Sequence, residues 1–346
     1  MLIVLQSQAS ENRFYVATYK TQLLAVLEEC SSLVEKHNRD LIPHFLSLAG
    51  PDLSTKLPRY KLSAWLKLFS KFSNPNALRL IETMRALYVS LLSPPDRSLQ
   101  WLTLSCLLTY KSPRLLPHED SLRLLLDHTN WRDELTRLDI VQLDADECPE
   151  LVDVIIRLLY GMMLDEKGRT RSADRCAAVL SSLVGCSDEE LTLLVDLMLQ
   201  TLSNERPVTA DGGSFVTRPV PEYVSEKQQV GFLTLLGDLL KHLGSRVVPR
   251  WPALLEMVLD LIASAQATLD VHMVRAIDVS AEEELAEGEE EGHEEPTGSV
   301  RTLRSIRQLG LKRLADFFRC SVVCDFSPYM PEAFRYRLPS HRNPER

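Results

Sequence analysis

Residues 151–185, LVDVIIRLLYGMMLDEKGRTRSADRCAAVLSSLVG, decide the fold class. Leu151, Val154, Ile155, Leu158, Leu159 and Met162 fall at i, i+3, i+4, i+7, i+8 and i+11, one face of an α-helix. Asp153 and Arg157 lie on the other side. The charged run DEKGRTRSADR follows, carrying Lys167, Arg169, Arg171 and Arg175. Cys176, Leu180, Leu183 and Val184 then begin a second helical face. The unit reads as helix, basic turn, helix. One apolar face does not offset the backbone entropy of ordering so short a helix, so each face calls for a neighbouring helix to cover it.

The same grammar extends outward in both directions. Helical periodicity runs from about Glu11 to Arg39 and stops at HNRDLIP, with a short helix HFLSLAG after it. Further helices are expected over Lys61–Phe72, Leu78–Leu92 and Ser98–Leu108, parted by SNPN and SPPD turns, then in HEDSLRLLLDH and WRDELTRLDI. Ser187 with Glu190, and Ser225 with Gln228, have capping-box spacing and open two more helices. Pro252 to about Leu269 reads as the partner of the second of these.

Three turns share a pattern that helical periodicity does not require. LVEKHNRDLIP (33–43), LLTYKSPRLLP (107–117) and LLKHLGSRVVP (239–249) each hold two apolar residues, six others, two more apolar residues and a proline. The prolines lie 74 and 132 residues apart, near two and three units of the roughly 40-residue HEAT and armadillo period. A proline at a helix start costs nothing, because its missing N–H has no intrahelical partner there. The expected fold class is all-α: an α-solenoid of HEAT/armadillo-like antiparallel helix pairs. The expected organisation is helical repeats over 1–203, an exposed Pro/Gly loop over 204–223 and a repeat pair over 224–270. An acidic disordered linker over 280–298, a basic amphipathic helix over 299–326 and an irregular tail over 327–346 complete it.

Charge is segregated along the chain. The formal net charge is −9, yet nine Glu and no Lys or Arg fall between Ala281 and Gly298. Without those nine, the 48 acids become 39, equal to the 39 bases. From Val300 to Arg346 ten bases face four acids. The overall acidity therefore excludes no polyanionic partner. Seven scattered cysteines, an odd number, do not form a disulfide framework and are read as reduced thiols. No apolar run approaches the ~20 residues of a membrane span, and the opening MLIVLQSQAS lacks the basic flank and length of a signal segment. A soluble intracellular chain without a membrane partner is expected.

Catalytic and metal-site patterns are not met. There is no GxSxG, Walker loop or HExxH, and the Gly pair in Asp211–Ser214 lacks both a preceding strand and a following lysine. His118, Glu119 and Asp120 are contiguous and point apart on a helix, so they do not converge on a metal. No enzyme, cofactor, metal or small-molecule substrate is expected. Two basic features remain. One is the turn with Lys167, Arg169, Arg171 and Arg175, which is either a plain solvated turn or an RNA contact. The other is the helix SVRTLRSIRQLGLKRLADFF (299–318). At 100° per residue, Leu303, Ile306, Leu314 and Phe317 cluster on one side, and Arg301, Arg304, Lys312 and Arg319 on another. The basic stripe suits a phosphate backbone, although an ordinary amphipathic surface helix has the same pattern.

YKSPRLLPHEDSLRLLLDHTNWRDELTRLDI (110–140), VDVIIRLLYGMML (152–164), AAVLSSLVG (177–185) and the helix at 299–318 resemble the small-subunit processome component 20 family, also called DRIM, "down-regulated in metastasis". The similarity runs from about Leu99 to Phe326. It departs where Met162 stands in place of an arginine after LYG, and again in the tail MPEAFRYRLPSHRNPER. The resemblance implies an interior fragment of a very large HEAT-repeat nucleolar protein, without catalytic residues. It further implies that other processome proteins and the backbone of pre-rRNA or U3 snoRNA are the partners, in the nucleus and nucleolus. The alternative from the same fold class is a nuclear transport adaptor of karyopherin type, which also combines HEAT repeats with acidic loops.

Overall fold

The computed structural model describes residues 13–49, 58–138, 140, 149–165, 169–202, 215–283, 297–319 and 324–335. Among these residues there are helices and no strands. The chain divides into two compact units, 1–167 and 168–346. Within each unit the helices pack chiefly on near neighbours in sequence, as helix pairs of the HEAT/armadillo type do, so the all-α solenoid class is the one found.

The first unit holds α1 (Arg13–Glu29), α2 (Ser31–Lys36), α3 (Asn38–Ala49), α4 (Arg59–Phe69) and α5 (Ile81–Ser90), then α6 (Arg97–Leu108), α7 (Glu119–Leu125), α8 (Trp131–Leu138) and α9 (Pro149–Leu164). Phe45 on α3 packs on Trp65 and Phe69 of α4, with ring centroids 5.3 and 5.0 Å away, and Phe72 extends the cluster. The Asp96 carboxylate caps α6 by accepting from the Ser98 and Leu99 amides.

The helix of the opening stretch, α9, is more deeply buried than a one-faced helix. Leu151, Val154, Ile155, Leu158, Leu159 and Met162 are all buried as expected, but so are Val152, Ile156, Tyr160 and Met163. Only a narrow strip remains polar, where Arg157 pairs with Asp153 at 3.0 Å. A helix apolar almost all round is buried on most of its sides. Gly161 explains how closely its neighbours approach. A Cβ there would lie 2.2 Å from Gln100 Nε2 and under 3 Å from the Ser93 and Pro94 carbonyl oxygens. Buried Gln100 fills that space and donates to the carbonyls of Leu92 (2.6 Å) and Leu158 (3.3 Å), tying α6 to α9 and to the turn after α5.

The second unit holds α10 (Arg169–Ser182), α11 (Asp188–Gln200), α12 (Glu226–Leu243), α13 (Trp251–Glu283), α14 (Thr297–Arg319) and α15 (Met330–Arg335). Both capping boxes are present, at Ser187/Glu190 and Ser225/Gln228. The main partner of α12 is α14, which also packs most extensively on α13, so α14 is the centre of this unit. Trp251, fully buried at the start of α13, meets Phe317 of α14 edge to face at 5.2 Å.

The repeated turns come out differently. Pro117 and Pro249 sit in single 3-10 turns, Leu116–His118 and Val248–Arg250, directly before α7 and α13. Pro43 does not start a helix: Asn38–Ala49 is continuous and Pro43 lies inside it. The chain does break at HNRDLIP, at His37, but the next helix starts at Asn38 rather than at His44. The loop expected over 204–223 is only partly exposed: residues 203–214 lie outside the described residues, and 215–223 have no helix or strand, but Phe215 is buried. Its amide donates to the Pro328 carbonyl at 3.0 Å, and the Arg218 amide donates to buried Asp260 at 2.7 Å. Of the acidic run over 280–298, residues 284–296 lie outside the described residues, and 280–283 form the end of α13.

Candidate nucleic-acid interface

The basic helix α14 is fixed by its apolar side and by two glycines. Leu303, Ile306, Leu314 and Phe317 are buried, Ile306 and Phe317 completely. Gly310 lets the helix close on α13, since a Cβ there would stand 2.5 Å from the Ile262 side chain. On α12, Gly237 leaves room for the Arg313 guanidinium, whose Nη1 would be 1.1 Å from an added Cβ. Ser299 Oγ donates to Glu226 Oε1 at 2.7 Å and anchors the start of α14 to the start of α12. Helix glycine costs about 1 kcal/mol relative to alanine, so two mid-helix glycines on facing helices were a legible sign of close approach.

This docking turns the polar side outward. Arg301, Arg304, Lys312 and Arg319 are all exposed and on one side of α14. At 1.5 Å per residue the eighteen steps from Arg301 to Arg319 make the stripe about 27 Å long. Arg301, Arg304 and Lys312 have no ion-pair partner among the described residues. Arg319 approaches Asp316 at 3.5 Å, so the C-terminal end of the stripe is partly neutralised. Arg313 is a cation of the same helix that does not join the stripe. It is buried over Gly237 and bound to Asp316 at 3.0 Å, holding α14 against α12.

The other predicted basic cluster is not reproduced as a loop. Helix α10 starts at Arg169, so most of DEKGRTRSADR is helical. Lys167 lies outside the described residues, and so do the side chains of Arg169 and Arg171. Arg175 is buried at 7% exposure, four residues before fully buried Val179. It shares the inward face of α10 and is withdrawn as a surface contact.

Among the described residues no group of His, Cys, Asp or Glu is arranged to hold a metal ion, and no helix is long and apolar enough to cross a membrane. The cysteines described are free thiols. Burial pushes the thiols of Cys176 and Cys186 up to about 12, and nearby carboxylates of Asp238 and Glu190 add to the effect. These are packing groups rather than nucleophiles.

The family model described as U3 small nucleolar RNA-associated protein 20, N-terminal, matches residues 56–339. The chain belongs to that family. The match starts well before Leu99, so the family likeness reaches across most of the first unit as well. U3 small nucleolar RNA-associated protein 20 of Schizosaccharomyces pombe is 28% identical over 322 residues, covering 90% of this chain and 12% of the relative. The protein of the same name from Saccharomyces cerevisiae is 22% identical over 328 residues, covering 89% of this chain and 12% of its own length. The chain thus spans about an eighth of the length of these curated relatives.

Proposed function

We propose that this chain is a non-enzymatic scaffold segment of the U3-associated small-subunit processome, acting in ribosome biogenesis in the nucleolus. Its helical faces bind other processome proteins, and α14 contacts the backbone of pre-rRNA or U3 snoRNA through Arg301, Arg304 and Lys312, with Arg319 at the weaker end. The observation that carries the reading is the family match over residues 56–339. The basic stripe supports it on physical grounds. Exposed cations on a rigid helix release counterions from a phosphate backbone and require no base-specific contact. The exposed aromatic of α14, Phe318, stands beside Arg319 at the weaker end, so along Arg301, Arg304 and Lys312 the contact is to the backbone and insensitive to sequence.

Recovery of U3 RNA and processome subunits with the tagged chain from nuclear extract is the expected outcome of the test. Recovery of nuclear-pore components, with binding to the small GTPase of nuclear transport that depends on its nucleotide state, would instead establish the transport-adaptor reading. No feature of the structure favours that alternative.

A further inference from the structure

We propose that the first unit carries a second, independent RNA-backbone surface, along the edge formed by its inter-helix turns. Three turns make this edge: 36–38 before α3, 70–80 before α5 and 109–118 before α7. Side chains fasten them into one row. The Glu35 carboxylate accepts from the Ser73 amide at 3.1 Å and Ser73 Oγ at 2.8 Å, and Asn38 Oδ1 accepts from the Arg79 amide at 2.9 Å. Glu150 of α9 then joins α5, the helix after the second turn, to the third turn, pairing with Arg85 at 2.5 Å and accepting from Ser112 Oγ at 2.9 Å.

Lys36, Arg39, Arg79, Lys111 and Arg114 are exposed on this row, and none has an ion-pair partner among the described residues. Most of the unit's other described arginines are paired with carboxylates, Arg132, which lies over Trp131, being an exception. Arg59, Arg97, Arg123, Arg137 and Arg157 are all bound to carboxylates. The carboxylates best placed to quench the edge are themselves engaged: Glu35 by turn donors and Glu150 by Arg85 and Ser112. Exposed Asp40, Glu82 and Asp120 remain, three acids against five cations. With stacked helices 8–10 Å apart, three successive turns extend about 20 Å.

Two further features lie at the same place. Among the described residues, the non-glycine residues with left-handed backbone, Leu80 (φ 58°) and Lys111 (φ 50°), occupy the second and third turns. Such conformations cost energy and persist where surrounding structure holds a loop in a set shape. Between these turns opens a cavity of about 380 Å3, lined by Arg85 and Arg114, by the carboxylates of Glu82 and Glu150, and by Asn76, Tyr110 and Ser112. The Tyr110 hydroxyl is buried there without a hydrogen-bond partner among the described residues. Arg85 is engaged by Glu150, so Arg114 is the cation this cavity offers a phosphate. RNA is favoured over an acidic protein segment because the cations are spread one or two to a turn. Protein hot spots instead concentrate on aromatic and Arg anchors in a desolvated centre. The surface goes beyond α14, and its test does not depend on processome membership.

The test is filter binding of the full chain to polyuridylate and to a structured RNA hairpin across a salt series. The edge variant Arg79→Gln/Lys111→Gln/Arg114→Gln is compared with a control losing three cations elsewhere in the unit, Lys61→Gln/Lys67→Gln/Arg132→Gln. Circular dichroism and urea midpoints confirm that both stay folded. The edge variant should bind about ten-fold more weakly at low salt, and the slope of log K against log salt should shrink by about 2–3, one counterion per lost contact. The control should move neither. Equal losses in both variants, or an unchanged edge variant, would overturn the proposal. So would preferential binding of polyglutamate over RNA by the wild-type edge, which would make the partner an acidic protein.

Discussion

Replacing Gly161 with alanine tests whether the close packing around α9 holds the first unit together. The added methyl would sit 2.2 Å from Gln100 Nε2, 2.8 Å from the Pro94 oxygen and 2.9 Å from the Ser93 oxygen. Two of the three are backbone atoms, so a side-chain rotation does not relieve the clash. Overpacking of this kind costs about 1–3 kcal/mol. Displacing Gln100 also breaks its bonds to the Leu92 and Leu158 carbonyls, for about 1–3 kcal/mol more. The gain in helix propensity from Gly to Ala returns about 1 kcal/mol. The net expectation is a loss of about 1–5 kcal/mol. Gly231 on α12 provides the opposite case, because an added Cβ meets nothing within 4 Å. Gly231→Ala should therefore stabilise by up to about 1 kcal/mol. Urea unfolding followed by circular dichroism, with tryptophan fluorescence as a second probe, measures both variants. Opposite signs are expected. A neutral or stabilising Gly161→Ala would refute the packing argument, and Gly231→Ala as destabilising as Gly161→Ala would refute the use of local space to assign the sign.

Other expectations follow from single contacts. Arg301→Glu/Arg304→Glu/Lys312→Glu should weaken RNA binding and reduce the salt slope by about 2–3, whereas Arg319→Gln alone should change it little because Asp316 already opposes that charge; electrophoretic mobility shifts across a salt series read both. Ser225→Ala removes the side-chain acceptor of the Gln228 amide and should cost about 1 kcal/mol in thermal unfolding, with Ser225→Asp retaining most of it. Asp260→Ala leaves the Arg218 amide without its buried acceptor, so a loss of about 1–3 kcal/mol is expected, with faster hydrogen exchange at Arg218. A thiol reagent at mildly alkaline pH should label exposed Cys30 first. Cys176 and Cys186, held protonated by burial to about 12, should react only on unfolding. Their raised values favour the folded state while both states are protonated. This contribution fades as pH climbs above the unfolded thiol value, near 9, toward 12.

Much of the fold was legible because it is local. Ser187 with Glu190 and Ser225 with Gln228 satisfy orphan helix amides within three residues, and sequence alone shows both ends of that exchange. The stripe on α14 was legible for the same reason, since periodicity separates Leu303 and Phe317 from Arg301 and Lys312 before any neighbour is known. Three features depended on the neighbours. Arg175 looked like a surface cation until the start of α10 at Arg169 put it on the inward face. Arg313 falls next to the exposed stripe in sequence, but Gly237 on another helix gives it a buried seat. Pro43 reads as a helix start by composition, yet the helix around it tolerates the missing donor. The turn edge of the first unit was not legible either. Its cations are scattered over about eighty residues and come together only when Glu35, Asn38 and Glu150 bind the turns side by side.

Ultraviolet crosslinking of the tagged chain in a nucleolar extract, with peptides and RNA both identified, tests the central claim most directly. The account predicts U3 or pre-rRNA crosslinks on the outer side of α14, around Arg301, Arg304 and Lys312, together with protein crosslinks to processome subunits. Crosslinks confined to transport factors, or RNA contacts absent from α14 while the chain remains assembled with U3, would contradict it.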